Sequence, residues 1–273
     1  MNIALKGSLV LVGAGKMGGA MLEGWLKSGV DPKKIVVLDP FVSVEMKALL
    51  SQHKVSLNSA VSSINDAEVV LIAVKPQMME EVLPTIVGLG SSKPLILSVA
   101  AGKTIASFER HFGKSAAVIR TIPNTPAAIG RGITAMSANP NVSAKQLQLA
   151  TELLSAIGEV VTVDREELID CVTAVSGSGP AYIFYVTECL AAAAEKIGLP
   201  PSLAMQLARA TVAGSGELMR VTGTPAATLR QNVTSPKGTT HAALQVLMAE
   251  NGLQPLFEKA VKAAVDRSRE LAS

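Results

Sequence analysis

A short apolar run that breaks into spaced glycines and resumes as a helix restricts the folds open to this chain more than any other stretch. Residues 8–12 carry Leu9, Val10, Leu11 and Val12 without a polar break, the pattern of a strand buried in a parallel sheet. Gly13, Gly15 and Gly18 follow at once, with Lys16 and Met17 between the last two. Met21, Leu22, Trp25 and Leu26 then recur at helical spacing. A lone G-x-G-x-x-G is a weak signal, but between a strand and a helix it is a dinucleotide fingerprint. Gly13 allows the tight turn, Gly15 lets the backbone approach a pyrophosphate, and Gly18 lets the helix lie close on the strand. A glycine-rich turn without a ligand is the plainer reading. The fold class is α/β, with an N-terminal Rossmann-type doubly wound sheet.

The chain continues in that style. Residues 35–38 form a second strand ending at Asp39. An acid there accepts hydrogen bonds from the adenosine ribose and repels a 2′-phosphate, which favours NADH over NADPH. Asp39 before Pro40 also fits simple turn chemistry. A weaker strand at residues 55–57 ends at Asn58, and residues 69–74 are the most strand-like run, closed by Lys75, Pro76 and Gln77. Ligands of open α/β sheets bind at the carboxyl ends of strands, so Lys75 and Pro76 should face a cofactor. A solvated Lys beside a loop Pro is the alternative. Residues 95–99 form another strand, and Ala100, Ala101 and Gly102 after it leave room for a ring or make a tight turn. Residues 117–120 lead into a rigid loop holding Pro123, Asn124 and Pro126. Arg120 is either a site residue or a structural ion-pair partner. Strands at 132–138 and 159–163 flank a helix at 144–157.

From Arg165 the strand-like runs stop. The expected division is a dinucleotide-binding domain, 1–164, and an all-helical domain, 165–273. Residues 166–175 read as one helix, broken or bent at 176–180. Residues 181–197 are apolar on nearly every face, so this helix must be buried all round, most naturally against a second copy of the chain. A final helix, marked by Leu253, Leu256, Phe257, Val261, Val265 and Leu271, reads as core. Between them, Pro236 and Gly238 make a loop, and a helix begins at Thr239 or Thr240. The N–H groups of Gly238, Thr239 and Thr240 would be unpaired and suit a carboxylate or phosphate. The plainer reading is an ordinary N-cap threonine with Gly238 making the turn.

Composition excludes several classes. Hydrophobic residues reach 48% and charged ones only 17%, below the usual quarter or so, which implies surface hidden in an oligomer. A net charge of +3 is too small to argue for nucleic acid. Cys171 and Cys189 sit in helical, apolar surroundings and read as buried thiols. Residues 1–11 carry one Lys and no cleavage pattern, and no apolar run reaches about 18 residues, so a cytoplasmic chain is expected. His53, His111 and His241 do not cluster, and no metal site is expected.

Residues 232–240, Asn-Val-Thr-Ser-Pro-Lys-Gly-Thr-Thr, resemble the signature of the pyrroline-5-carboxylate reductases. The segments 73–77, 100–102, 120–126 and 176–181, with the glycine fingerprint, resemble the same family in order and spacing. The resemblance implies reduction of a cyclic imine by NADPH or NADH to give L-proline, in homodimers formed by the helical domain that can assemble further. It implies cofactor contacts at Gly13, Gly15, Lys16, Met17, Gly18, Asp39 and Asn58. It adds Ala73, Val74, Lys75, Pro76, Ala100, Ala101 and Asn232. Substrate contacts would come from Ser235, Gly238, Thr239 and Thr240, with the Thr240 hydroxyl holding the ring nitrogen. Many members use NADPH and carry a small polar residue where Asp39 stands. No obvious general acid or base is present, which suits an imine whose nitrogen enters protonated better than an alcohol. Two rival functions are a hydroxyacid dehydrogenase using Lys237 as proton donor, and a non-catalytic dinucleotide sensor.

Overall fold

In the computed structural model, which describes residues 3–272, the strand–glycine–helix run is the first βα unit of an eight-stranded sheet. Residues 1, 2 and 273, the outermost of the two expected domains, lie outside the described residues. The elements in order are β1 (Ser8–Val12), α1 (Lys16–Lys27), β2 (Ile35–Leu38), α2 (Val44–His53), β3 (Ser56–Leu57) and β4 (Ala67–Ile72). Then come α3 (Met79–Ile86), β5 (Leu95–Ser98), α4 (Ile105–Phe112), β6 (Ala117–Ile122), β7 (Gly132–Ala138), α5 (Ala144–Ser155) and β8 (Gly158–Thr162).

The strand order is β3-β2-β1-β4-β5-β6-β7-β8, doubly wound about β1 and β4. Neighbours are parallel except β6 and β7. The link between those two is a single 3-10 stretch, Thr125–Ile129, too short for a crossover helix, so the chain returns antiparallel. Alternation along the strands sends Leu9, Leu11, Val69 and Leu71 to one face, where they meet Met21, Leu22 and Trp25 of α1 and Leu153 of α5. Val10, Val12, Val70 and Ile72 point the other way, onto Met79 and Leu83 of α3 and Phe108 of α4. The Trp25 Nε1–H donates to Leu153 O at 2.9 Å, tying α1 to α5. β4 ends at Ile72 rather than at Val74 as expected. The Ala73 N–H still reaches Val12 O at 2.8 Å, but at Gly13, with φ +90°, β1 turns away, and on the other side the pairing with β5 ends at Ile72 and Ser98.

Contacts divide the chain into two units, one up to Gly177 together with the end from Val265, the other Ser178–Ala264. In the first unit, the helix expected over 166–175 is only α6 (Leu168–Val172), and a π-helical turn, Thr173–Gly177, follows it. The second unit holds α7 (Gly179–Lys196), α8 (Pro201–Thr222), α9 (Ala226–Asn232), α10 (Thr239–Leu247) and the start of α11 (Leu253–Ala272). Among its described residues only Ala191, Ala204 and Ala208 are buried. The expectation that α11 is core is therefore corrected: Leu253, Leu256 and Leu271 are exposed, and Ser268 is its one buried described residue. Helices joined by short loops in one chain cover too little of one another to bury a stripe on each. Cys171 and Cys189 are free, as expected, but half-buried and exposed rather than buried, for the same reason.

Candidate functional site

The glycine loop ends in a helix that nothing caps. Gly15 is the N-cap of α1, no side chain bonds there, and the first intrahelical bond runs from Gly19 N to Gly15 O at 2.7 Å. The N–H groups of Lys16, Met17 and Gly18 therefore precede the helical ladder and point out of its positive end. A Cβ on Gly13 would meet Val74 Cγ1 at 2.9 Å and the Ala73 carbonyl at 3.0 Å, and one on Gly18 would strike Gly13 O. These two glycines are needed by the protein's own packing. Gly15 is different: its φ is −68° and a Cβ there would meet nothing within 4 Å. A side chain at Gly15 would fit the protein alone but fill the space in front of the helix, so the cradle suits a pyrophosphate.

Beside this loop, the sequence-picked Asp39 and Asn58 are joined. Asp39 Oδ2 accepts the Ala14 N–H and Oδ1 the Phe41 N–H, both at 2.8 Å. The Asp39 N–H donates to Asn58 Oδ1 at 2.8 Å, and Asn58 Nδ2 donates back to Asp39 O at 3.0 Å. Asn58 itself is held in the left-handed region, φ 52°, with its N–H on Val37 O at 2.7 Å. The turn chemistry considered for Asp39 is thus real, and it fixes the carboxylate against the glycine loop. A cleft of about 660 Å³ opens here, lined by Gly15, Lys16, Asp39, Phe41 and Glu45 among others. Sequence reading passed over Phe41, Ser43 and Glu45; an aromatic two residues beyond a strand-ending acid was the available signal. The Glu45 carboxyl is held below the usual carboxylate range, first by its own backbone N–H and then by the Ser43 hydroxyl.

Further along the strand ends, Ala73 and Val74 form the wall behind Gly13. Lys75 is exposed and leads into a 3-10 turn, Pro76–Met78. Ala100 is buried and its N–H reaches Ser98 Oγ at 3.3 Å, while Ala101 is exposed. Arg120 takes the structural role of its two readings. Buried to 2% exposure, it bonds Glu166 Oε1 at 3.1 Å and Asp170 Oδ1 at 3.2 Å, and the Ser268 hydroxyl donates to the same Asp170 oxygen at 2.9 Å. Asn124 accepts the Ile133 N–H at 2.9 Å and donates to Ser176 O at 3.1 Å, pinning the rigid loop to the π turn.

In the second unit, α9 ends at Asn232, which is exposed, and the chain turns tightly into α10. The Gly238 N–H donates to Ser235 O at 3.0 Å across a turn that puts Lys237 at φ 59°. This corrects one expectation: the Gly238 N–H is committed to the turn and is not an open donor. Gly238 instead supplies a close approach, since a Cβ there would lie 3.1 Å from Ser235 O. Gly238 is also the N-cap of α10, without a side-chain bond, so neither Thr239 nor Thr240 caps the helix. The first intrahelical bond is Ala242 N to Gly238 O at 3.1 Å, which leaves the N–H groups of Thr239, Thr240 and His241 ahead of it. Thr240 is half-buried and Thr239 and Ser235 are exposed. A cleft of about 530 Å³ between α9 and α10 is lined by Arg230, Thr234 and His241.

A doubly wound sheet with an open helix N-terminus at its first βα turn, joined to a helical unit, defines a dinucleotide-dependent oxidoreductase architecture. Comparison with known proteins narrows this. Residues 166–271 match the family model described as pyrroline-5-carboxylate reductase dimerisation. Residues 8–102 match that described as NADP oxidoreductase coenzyme F420-dependent. The chain is 39% identical to the pyrroline-5-carboxylate reductase of Pseudomonas aeruginosa, over 97% of this chain and 96% of the relative. It is also 39% identical to that of Synechocystis, over 96% and 97% of the two chains. A solved pyrroline-5-carboxylate reductase from Coxiella burnetii superposes with a TM-score of 0.91 at 35% identity, covering 98% of this chain and all (100%) of that one. The Plasmodium falciparum pyrroline carboxylate reductase, solved with NADP bound, gives 0.81 at 27% identity, covering 98% and 99%. The chain belongs to the pyrroline-5-carboxylate reductase family.

Proposed function

We infer that this protein transfers hydride from NAD(P)H to the C=N bond of 1-pyrroline-5-carboxylate and yields L-proline, the last step of proline biosynthesis. The observation that carries the site is the start of α10, where three N–H groups and the Thr240 hydroxyl stand free of any cap. Such a helix start suits the substrate carboxylate, received by the Thr239 and Thr240 N–H groups with the Ser235 hydroxyl nearby in sequence. Gly238 keeps the turn tight. The Thr240 hydroxyl hydrogen-bonds the ring nitrogen and orients the C=N carbon. Because the imine enters protonated, its carbon is already electrophilic, and positioning replaces strong acid catalysis. Bound NAD(P)H supplies the hydride.

On the cofactor side, Gly13, Gly15 and Gly18 with the Lys16 and Met17 N–H groups take the pyrophosphate. Asp39 and Asn58 take the adenosine ribose. Ala73, Val74, Lys75, Pro76, Ala100 and Ala101 line the strand ends, and Asn232 adds a contact from the end of α9. This reading divides the chain into a dinucleotide-binding domain, 1–164, and a helical substrate and dimerisation domain, 165–273; the family match over 166–271 supports it. The protein works as a homodimer through its helices, with larger assemblies built from dimers, and acts in the cytoplasm, where free Cys171 and Cys189 fit a reducing compartment. No helix among the described residues is long and apolar enough to cross a membrane.

Two variants test the roles. Thr240→Val should lower turnover by about 100-fold or more while leaving cofactor affinity within roughly twofold. Lys237→Ala should be mild. A severe Lys237→Ala with an active Thr240→Val would replace this scheme with that of a hydroxyacid dehydrogenase.

A further inference from the structure

The loop between β5 and α4, residues 99–104, is fastened at both ends and backed in the middle, all within the first unit. At its start, the Ala100 N–H reaches Ser98 Oγ, and the Thr121 hydroxyl of β6 donates to Ser98 O at 2.9 Å. At its end, the Ile105 N–H, the first of α4, donates to Glu166 Oε1 at 2.8 Å. Gly102 lies between, with φ +71°, and a Cβ on it would come within 3.2 Å of Leu271 O, so the last turn of α11 stands directly behind the loop. The apolar side chains of α11 do not explain its place there: Leu271 is exposed, and Ser268 is the one buried described residue of the helix. The Ser268 hydroxyl donates to Asp170 Oδ1, the oxygen that also takes Arg120 Nη2. Arg120 is shared by Glu166 and Asp170, so each acid, drawn out of water, takes a second donor elsewhere. Glu166 takes it from the start of α4 and Asp170 from the end of α11, the two segments that bound the loop.

We propose that Ser268 is a positioning residue for hydride transfer: through Asp170 it seats the last turns of α11 behind Gly102 and so holds the loop that meets the nicotinamide ring. With the pyrophosphate at β1 and the adenosine towards β2, the nicotinamide half runs the other way along the strand order, past β4 to the carboxyl end of β5. The loop begins at that end. Ser268 does not touch the cofactor; it acts on the nicotinamide half through the loop and leaves the adenosine half alone. The proposal rests on reading the strand ends as the cofactor site.

Titration calorimetry without substrate tests it on the native chain, Ser268→Ala and Ser268→Thr. NADH is compared with ADP-ribose, and NADPH with 2′-phospho-ADP-ribose, pairs that differ only by the nicotinamide. Ser268→Ala should weaken NADH and NADPH by about tenfold, the order of one lost hydrogen bond to a charged group, and leave both nicotinamide-free ligands within about twofold of native. Ser268→Thr keeps the hydroxyl and should restore the native ratio in each pair. An equal loss of cofactor and nicotinamide-free ligand in Ser268→Ala would mark Ser268 as merely structural and overturn the proposal. Native binding of all four ligands by Ser268→Ala, or the same selective loss in Ser268→Thr, would also overturn it. A native chain that holds neither cofactor would overturn the cofactor reading and the proposal with it, whereas an unchanged ratio in Ser268→Ala overturns the proposal alone.

Discussion

Arg120 shows what a single residue contributes to this fold. Its guanidinium is buried in β6 and spans Glu166 and Asp170, while Ile105 N–H and the Ser268 hydroxyl satisfy the remaining reach of those acids at 2.8 and 2.9 Å. Removing one member of such a group leaves charges buried without a partner. Arg120→Ala should therefore cost about 3–5 kcal/mol of stability, read from denaturant unfolding, whereas a loss under about 1 kcal/mol would mean that water already screens the site. From sequence alone Arg120 had two readings, because its partners lie 46 and 50 residues away and no local pattern points to them. The Gly238 N–H was misjudged for a related reason. Its acceptor, Ser235 O, depends on Lys237 adopting a left-handed backbone, which a Lys signals far less than a Gly would.

At the scale of elements, α7 and α8 are the least settled in a single chain. They pack on each other, and their buried residues are small, Ala191, Ala204 and Ala208, while Ile183, Phe184, Tyr185 and Leu190 of α7 remain exposed. An exposed apolar face of this kind needs another surface. Phe184→Glu combined with Leu190→Glu should shift the protein from dimer to monomer in sedimentation, and a native protein that sediments as a monomer at micromolar concentration would refute the pairing. Strands β1, β2 and β7 were legible to the residue, since buried runs bounded by glycine or charge leave little freedom. Helices α2, α3, α4, α8 and α9 were not located. Pro84 sits inside α3, and α2 and α4 are only 10 and 8 residues long, so their apolar stripes are brief. The antiparallel direction of β7 was also invisible, because side-chain alternation is the same in both directions. The burial expected of residues 181–197 came from composition and concerns the assembly, so the single chain exposes what the pattern marks as interior.

Over the whole molecule, the two helix starts read as sites, α1 in the first unit and α10 in the second, share a glycine N-cap with no side-chain bond and N–H groups in front. Both stretches were legible in sequence, because glycine at spaced positions and Pro-Lys-Gly before a helix are backbone signals rather than packing signals. The rim around Asp39 was legible only in part, since the clamp depends on three separate segments meeting. The central claim is the reaction itself, hydride transfer to a cyclic imine. Following cofactor absorbance with purified protein, NADH and NADPH offered in parallel, and pyrroline-5-carboxylate added, tests that claim most directly. The account predicts rapid oxidation of NADH or NADPH that depends on pyrroline-5-carboxylate and yields L-proline. Cofactor binding without any oxidation on adding pyrroline-5-carboxylate would contradict it.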